Sequence, residues 1–84
     1  MVPERRFVYV IKNGDNMPCF YVGLTSDMKA RLEAHNAGRC RHTAAHRPWR
    51  LHVLIEFSAQ STASSFERYL KSGSGRAFAK RHFE

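Results

Sequence analysis

The stretch Phe20–His35, FYVGLTSDMKARLEAH, decides how the rest of the chain is read. From Cys19 to Leu24 it is dense in aromatic and β-branched residues, the composition of a strand. Thr25, Ser26 and Asp27 then offer three helix caps in a row. The residues to about Asn36 read as a helix, and Gly38 is placed to stop it. Met28 and Leu32 form its apolar stripe, helped by Ala34. A strand therefore runs straight into a helix, and Tyr21, Gly23, Arg31 and His35 straddle the junction.

Upstream, Phe7–Lys12 (FVYVIK) reads as a second strand, and NGDNMP (Asn13–Pro18) is turn chemistry. The two strands make a hairpin. With its turn centred near Asp15, Tyr9 falls directly opposite Tyr21, and opposed residues share a face. Such a pair reads either as a sheet-supporting aromatic contact or as two phenols in one site. Gly23 lies two residues further along the same face. It reads as a place of close backbone approach or as a bulge.

Downstream, GRCRHTAAHRPWR (Gly38–Arg50) is a basic loop. WRLHVLIEF (Trp49–Phe57) turns continuously apolar and reads as a central strand. Ser61 is placed to cap a second helix carrying Ala63, Phe66 and Leu70 on one side. SGSG (Ser72–Gly75) reads as a break, and Arg76–His82 as a short third helix. The order β-β-α-β-α-α predicts one domain over residues 1–84. Its class is an α/β, or α+β, sandwich: a small three-stranded antiparallel sheet flanked by helices.

Charge narrows the function. The chain has 84 residues, with 14 Lys and Arg against 7 Asp and Glu, a formal net charge of +7. No acid occurs between Ala34 and Ile55, a stretch that carries Arg39, Arg41, Arg47, Arg50, His35, His42, His46 and His52. Arg68, Lys71, Arg76, Lys80 and Arg81 form a second cluster. Nucleic-acid phosphate is the partner such a surface fits, a merely basic soluble protein being the plainer reading. No apolar run approaches a membrane span, so no membrane partner is expected. The N-terminus lacks signal-peptide form. Two cysteines, Cys19 and Cys40, cannot build a disulfide framework. A cytoplasmic, nucleoid-associated protein with reduced thiols is expected.

Three further features carry chemistry. Arg31 and His35 are four apart and share a helix face, read either as a phosphate contact or as an ordinary solvated face. Glu67 borders the apolar stripe of the second helix. Ser64–Glu67 also fits a capping box, which would start that helix late. Cys40, His42 and His46 have zinc-like spacing but no Cys-x-x-Cys knuckle.

The ordered set FVY (Phe7–Tyr9), YVG (Tyr21–Gly23), Arg31-x-x-x-His35 and a helical Glu67 resembles the GIY-YIG nuclease domain across nearly the whole chain. It is most similar to the small stand-alone bacterial members, with RHTAAHRPW and LKSGSGRAF looking like stretches of that subgroup. The resemblance implies catalytic roles for Tyr9, Tyr21, Arg31, His35 and Glu67. Tyr21 would take a proton from the attacking water, and Tyr9 would position that water or the scissile phosphate. Arg31 would hold the phosphate, with His35 assisting. Glu67 would hold one Mg²⁺ or Mn²⁺ ion, bound mainly with substrate. Gly23, Arg39, Arg41, His42, Arg47, Lys71 and Arg76 are the candidate nucleic-acid contacts. An ordinary phenol, with a pKa of about 10, is a poor base at neutral pH. Arg31 is expected to lower that of Tyr21.

The implied activity is hydrolysis of phosphodiester bonds in DNA, structured or damaged, with low sequence specificity, in repair or recombination. RNA stays open as a substrate. The alternatives are a non-catalytic nucleic-acid-binding module of the same fold, or an interaction subunit of a repair complex. A repair-protein partner and a monomer or weak dimer fit these readings. Two departures stand out: the first triplet is FVY rather than GIY, and no Asn follows Glu67.

Overall fold

The computed structural model describes residues 3–14 and 18–84. The elements run β1 (Phe7–Asn13), β2 (Cys19–Thr25), α1 (Met28–Asn36), a 3₁₀ turn (Ala44–His46), β3 (Arg50–Glu56), α2 (Gln60–Leu70) and α3 (Gly73–His82). The three strands form one antiparallel sheet in the order β2-β1-β3. This is the β-β-α-β-α-α sandwich expected from the sequence.

Strand alternation splits the core in two. On one face, Tyr9 and Ile11 are buried with Trp49, against Met28 and Leu32 of α1 and Tyr21. On the other, Val8 is buried with Ala63 and Leu70, packed by Phe66 of α2, Phe78 and Ala79 of α3, and Phe83 at its C-terminal cap. β1 feeds both clusters, which is why its middle residues Val8–Ile11 are all buried.

Several expectations need correcting. β3 is an edge strand and β1 is the central one. The apolar run in β3 misled because only part of it is covered: Leu51 and Leu54 remain 40% and 42% exposed. The hairpin register also differs. Tyr9 pairs with Gly23, and Tyr21 pairs with Ile11. The pairing centres one residue later than Asp15, which itself lies outside the described residues, as do Asn16 and Met17. The two tyrosines still share a face, now as diagonal neighbours.

Helix boundaries follow the capping chemistry. Asp27 caps α1 by accepting from the Ala30 amide at 3.1 Å. Gly38, at φ +78°, ends the chain's helical path. α2 begins at Gln60 after Ala59, so Ser61 is not its cap and the late start at Ser64 is excluded. SGSG does not separate two helices by a long break. Ser72 caps α3 by accepting from the Gly75 amide at 3.2 Å, and Gly73–Gly75 form the first turn. Gly75 is buried against the Tyr69 carbonyl, and a Cβ there would overlap it. That contact lets α3 start directly behind α2.

Candidate active site

The junction between β2 and α1 brings Arg31 over the sheet beside Tyr9. The Arg31 Nε donates to the Tyr9 hydroxyl at 3.1 Å. Tyr9 then donates its own proton to His35 Nε2, 2.8 Å away. His35 Nδ1 lies 2.7 Å from the Thr43 hydroxyl, which points at the Cys40 carbonyl at 3.4 Å. These partners assign the tautomer: Nδ1 carries the proton and Nε2 accepts. The chain Arg31–Tyr9–His35–Thr43 thus runs in one donor direction. Tyr9, His35 and Thr43 are each fully buried. Among the described residues no buried side-chain polar atom lacks a partner.

Gly23 makes this possible. A Cβ at Gly23 would overlap the Tyr9 phenol and come within 2.7 Å of its Cε1. The sequence reading of close approach is right, but the approaching group is Tyr9. Gly23 is itself buried, so its part is to seat the phenol.

The surface outside this chain is a cleft of about 370 Å³ at the free edge of β2. Tyr9, Tyr21, Gly23 and Arg31 line one wall. Glu67 of α2 and Lys71 at its C-terminal cap line the other, with Arg5 and Arg68 adding charge. Four cations thus face one carboxylate. Lys71 Nζ lies 2.7 Å from Glu67 Oε2 and 5.4 Å above the Tyr21 ring.

Electrostatics sort the groups. Burial pushes Tyr9 above the ordinary phenol value, against the pull of the Arg31 hydrogen bond. Tyr21 is also raised, first by burial and then by the Cys40 thiol beside it, and Arg31 does not reverse this. Arg31 does pull Tyr21 down as expected, but burial and Cys40 outweigh it, so the net shift in the free site is upward. Arg31 makes its hydrogen bond to Tyr9 instead. Burial and the Arg31 charge lower His35, keeping it neutral. The Arg31 guanidinium is held charged by its bond to Tyr9, despite partial burial. Burial opposes ionisation of Cys40, yet bonds from Thr43 and the backbone at His42 and Thr43, with Arg31 nearby, bring it below the usual thiol value.

The cleft therefore collects Tyr9, Tyr21, Gly23, Arg31, Glu67 and Lys71. His35 stands behind Tyr9 rather than on the surface, so it does not reach a phosphate directly. It is the buried residue of α1, part of the core and not of a solvated face. Arg39, Arg41, His42 and Arg47 are exposed on the loop after α1 and do not line the cleft. Arg47 donates to the Ala44 carbonyl at 2.8 Å. Arg76 lines a neighbouring groove. Cys40, His42 and His46 do not converge, and no group of three metal-ligating side chains occurs among the described residues.

Sequence reasoning missed Thr43, Asn36 and Trp49. Asn36 clasps the Trp49 backbone, accepting from its N–H at 2.6 Å and donating to its carbonyl at 2.9 Å. Trp49 Nε1 donates to the Thr43 carbonyl at 2.8 Å. Together they pin the basic loop so that Thr43 meets His35. Only the lone Trp inside a basic run hinted at this.

Glu67 is the one carboxylate among the described residues that line the cleft, with its side chain 17% exposed. A hard oxygen donor held this way fits a divalent ion such as Mg²⁺, which takes one or two carboxylates and completes its shell with water and substrate phosphate. It does not fit zinc. Ser72 cannot stand in for a second ligand as it is placed, because its hydroxyl donates to the Tyr69 carbonyl at 2.6 Å and caps α3.

Comparison with known proteins shows the family. A family model described as the GIY-YIG catalytic domain matches residues 5–81. A UPF0213 protein of Listeria welshimeri is 38% identical over 69 residues, covering 81% of this chain and 74% of its own length. The UPF0213 protein YazA of Bacillus subtilis is 35% identical over 72 residues, 84% of this chain and 71% of its own length. A UPF0213 protein of Streptococcus pneumoniae is 34% identical over 69 residues, 81% and 68%. No solved structure matches at a significant level.

Proposed function

The chain belongs to the GIY-YIG family, a family of nucleases, and on that premise we propose that it is a divalent-metal-dependent endonuclease hydrolysing phosphodiester bonds in DNA. The observation that carries the reading is a single cleft with two phenols and Arg31 on one wall and Glu67 on the other. Low sequence specificity follows from its contents. Cations positioned on phosphates carry no base information.

The roles follow from the hydrogen bonds. Tyr9 is fully buried, so it holds Arg31 rather than touching water. With Nε engaged by Tyr9, Arg31 has its terminal nitrogens for the phosphoryl oxygens, where charge builds in the transition state. His35 and Thr43 fix the Tyr9 hydroxyl. Tyr21, only half-buried, is the phenol that faces the attacking water. Its raised pKa makes it a neutral hydrogen-bonding group in the free site. Bound at Glu67, Mg²⁺ or Mn²⁺ would supply positive charge at the phosphate and leaving oxygen. Lys71 holds the Glu67 carboxylate in place and lies over the Tyr21 ring. A role in repair or recombination, acting with a partner protein, belongs to the same proposal.

A second reading has one observation in its favour. The Glu67–Lys71 ion pair already neutralises the one carboxylate among the described residues of the cleft, as suits a phosphate-binding module without turnover.

Incubating the protein with supercoiled plasmid, branched DNA and single-stranded RNA, with Mg²⁺, Mn²⁺ or a chelator, tests both readings. Metal-dependent nicking lost in Tyr21→Phe and Glu67→Ala supports the nuclease. Salt-sensitive binding with no product supports the binding module. Product from RNA alone would move the substrate class.

A further inference from the structure

Next to the catalytic cleft lies a larger groove of about 550 Å³, and Tyr21 and Lys71 line both. The groove continues along β2 under α3. Its walls are apolar, with Phe20, Val22 and Phe83 among them, and Lys71, Arg76 and Lys80 stand around it. Glu84 is the one acidic residue among the described residues that line it. The walls are braced. The Phe20 ring packs on His52 at 5.6 Å and under the Lys12 ammonium at 5.8 Å. His52 Nε2 is also hydrogen-bonded to the Phe83 carbonyl. One imidazole therefore ties the two phenylalanines of the groove.

We propose that this groove seats an unpaired nucleobase next to the scissile phosphate, so that the preferred substrate carries a single-stranded nucleotide beside the cut. The inference rests on the nuclease reading for the position of that phosphate. A strand leaving the cleft past Tyr21 and Lys71 presents a phosphate, then a base with an apolar face. The groove offers cations for the first and aromatic walls for the second, the pairing by which proteins hold single strands. A base inside a duplex has both faces stacked and cannot enter. A second copy of this +7 chain would bring like charges against the same three cations. Continuity with the catalytic cleft selects nucleic acid over an acidic peptide.

The test uses Glu67→Gln protein, so that binding is read without cleavage. The probe is a forked DNA carrying 2-aminopurine at the unpaired position beside the junction. A fully paired DNA of the same length is the comparison. The expected result is quenching of the probe in the complex, and fork affinity exceeding duplex affinity. In the same background, Phe20→Ala should weaken fork binding about 5- to 100-fold, the loss from removing one stacking ring, with duplex binding unchanged. The exposed Lys80→Gln, which leaves the walls intact, should weaken fork binding in the same direction. Equal affinity for fork and duplex, with no quenching, overturns the groove assignment while leaving the nuclease reading standing. A dimer that Phe20→Ala dissolves also overturns it, assigning the groove to a second copy. Failure of wild type to cut any DNA is read separately and overturns the nuclease reading alone.

Discussion

Gly23→Ala is the substitution that most sharply separates this structure from a generic hairpin. By propensity alone, alanine in a strand interior is better than glycine by about 0.5–1 kcal/mol. A generic hairpin therefore predicts a more stable protein. Here the new methyl would fall on the Tyr9 phenol, overlapping its oxygen and Cζ and lying 2.7 Å from Cε1. Tyr9 is 0% exposed and is held by Arg31 and His35, so it cannot swing aside without breaking both bonds. Overpacking of this kind costs about 1–3 kcal/mol. Displacing the phenol also leaves polar groups of His35 and Arg31 with lost partners. The net expectation is a destabilisation of about 1–3 kcal/mol, opposite in sign to the propensity effect. Urea unfolding reads it as a lower midpoint at unchanged slope. Plasmid nicking should fall in parallel, because Arg31 loses its anchor. The double variant Tyr9→Leu, Gly23→Ala should lose less stability than the sum of the singles, since the clash is then absent. A Gly23→Ala protein as stable as wild type, with full nicking, would refute the seating role of Gly23.

The hydrogen-bond chain makes its own forecasts. Thr43→Val leaves the buried Nδ1–H of His35 without an acceptor and should cost about 1–3 kcal/mol in urea melts. The His35 pKa in the folded protein lies below its ordinary 6.5, so below that pH the unfolded chain binds more protons than the native one. Stability should be fully present above about pH 6.5 and fall as pH drops through and below that value. The fall should be reduced in His35→Gln. Tyr9 acts at the other end: its raised pKa keeps the native phenol neutral where the unfolded one ionises. Stability should therefore also fall as pH rises above about 10, and less so in Tyr9→Phe. Finally, Lys71→Met removes the cation that competes for Glu67. The metal concentration for half-maximal nicking should drop, while the KM for DNA rises.

The elements and their order were legible because they depend on local chemistry. Turn residues, Asp27 as a cap, the Ala63/Phe66/Leu70 stripe and the β-branched strands act over a few residues, and each reads alone. The candidate residues Tyr9, Tyr21, Arg31 and Glu67 were legible too, because their types and order form a pattern. Other features were decided by contacts between distant parts of the chain. The hairpin register, shifted by one residue at its centre, set Gly23 under Tyr9. The pairing of β1 on both edges made β3 an outer strand despite its apolar run. Burial reversed the shift expected at Tyr21, because the desolvation of a phenol depends on everything packed around it and not only on the charge of Arg31 on the neighbouring helix. His35 passed from a surface assistant to a buried link because Thr43, eight residues later, is brought back under it by the Asn36–Trp49 clasp. Sequence alone named the candidate residues, since residue type determines what a group can donate or accept. Only the tertiary structure decided which of them meet solvent and which hold the others in place, since burial and hydrogen-bond direction arise when separate elements close on one another.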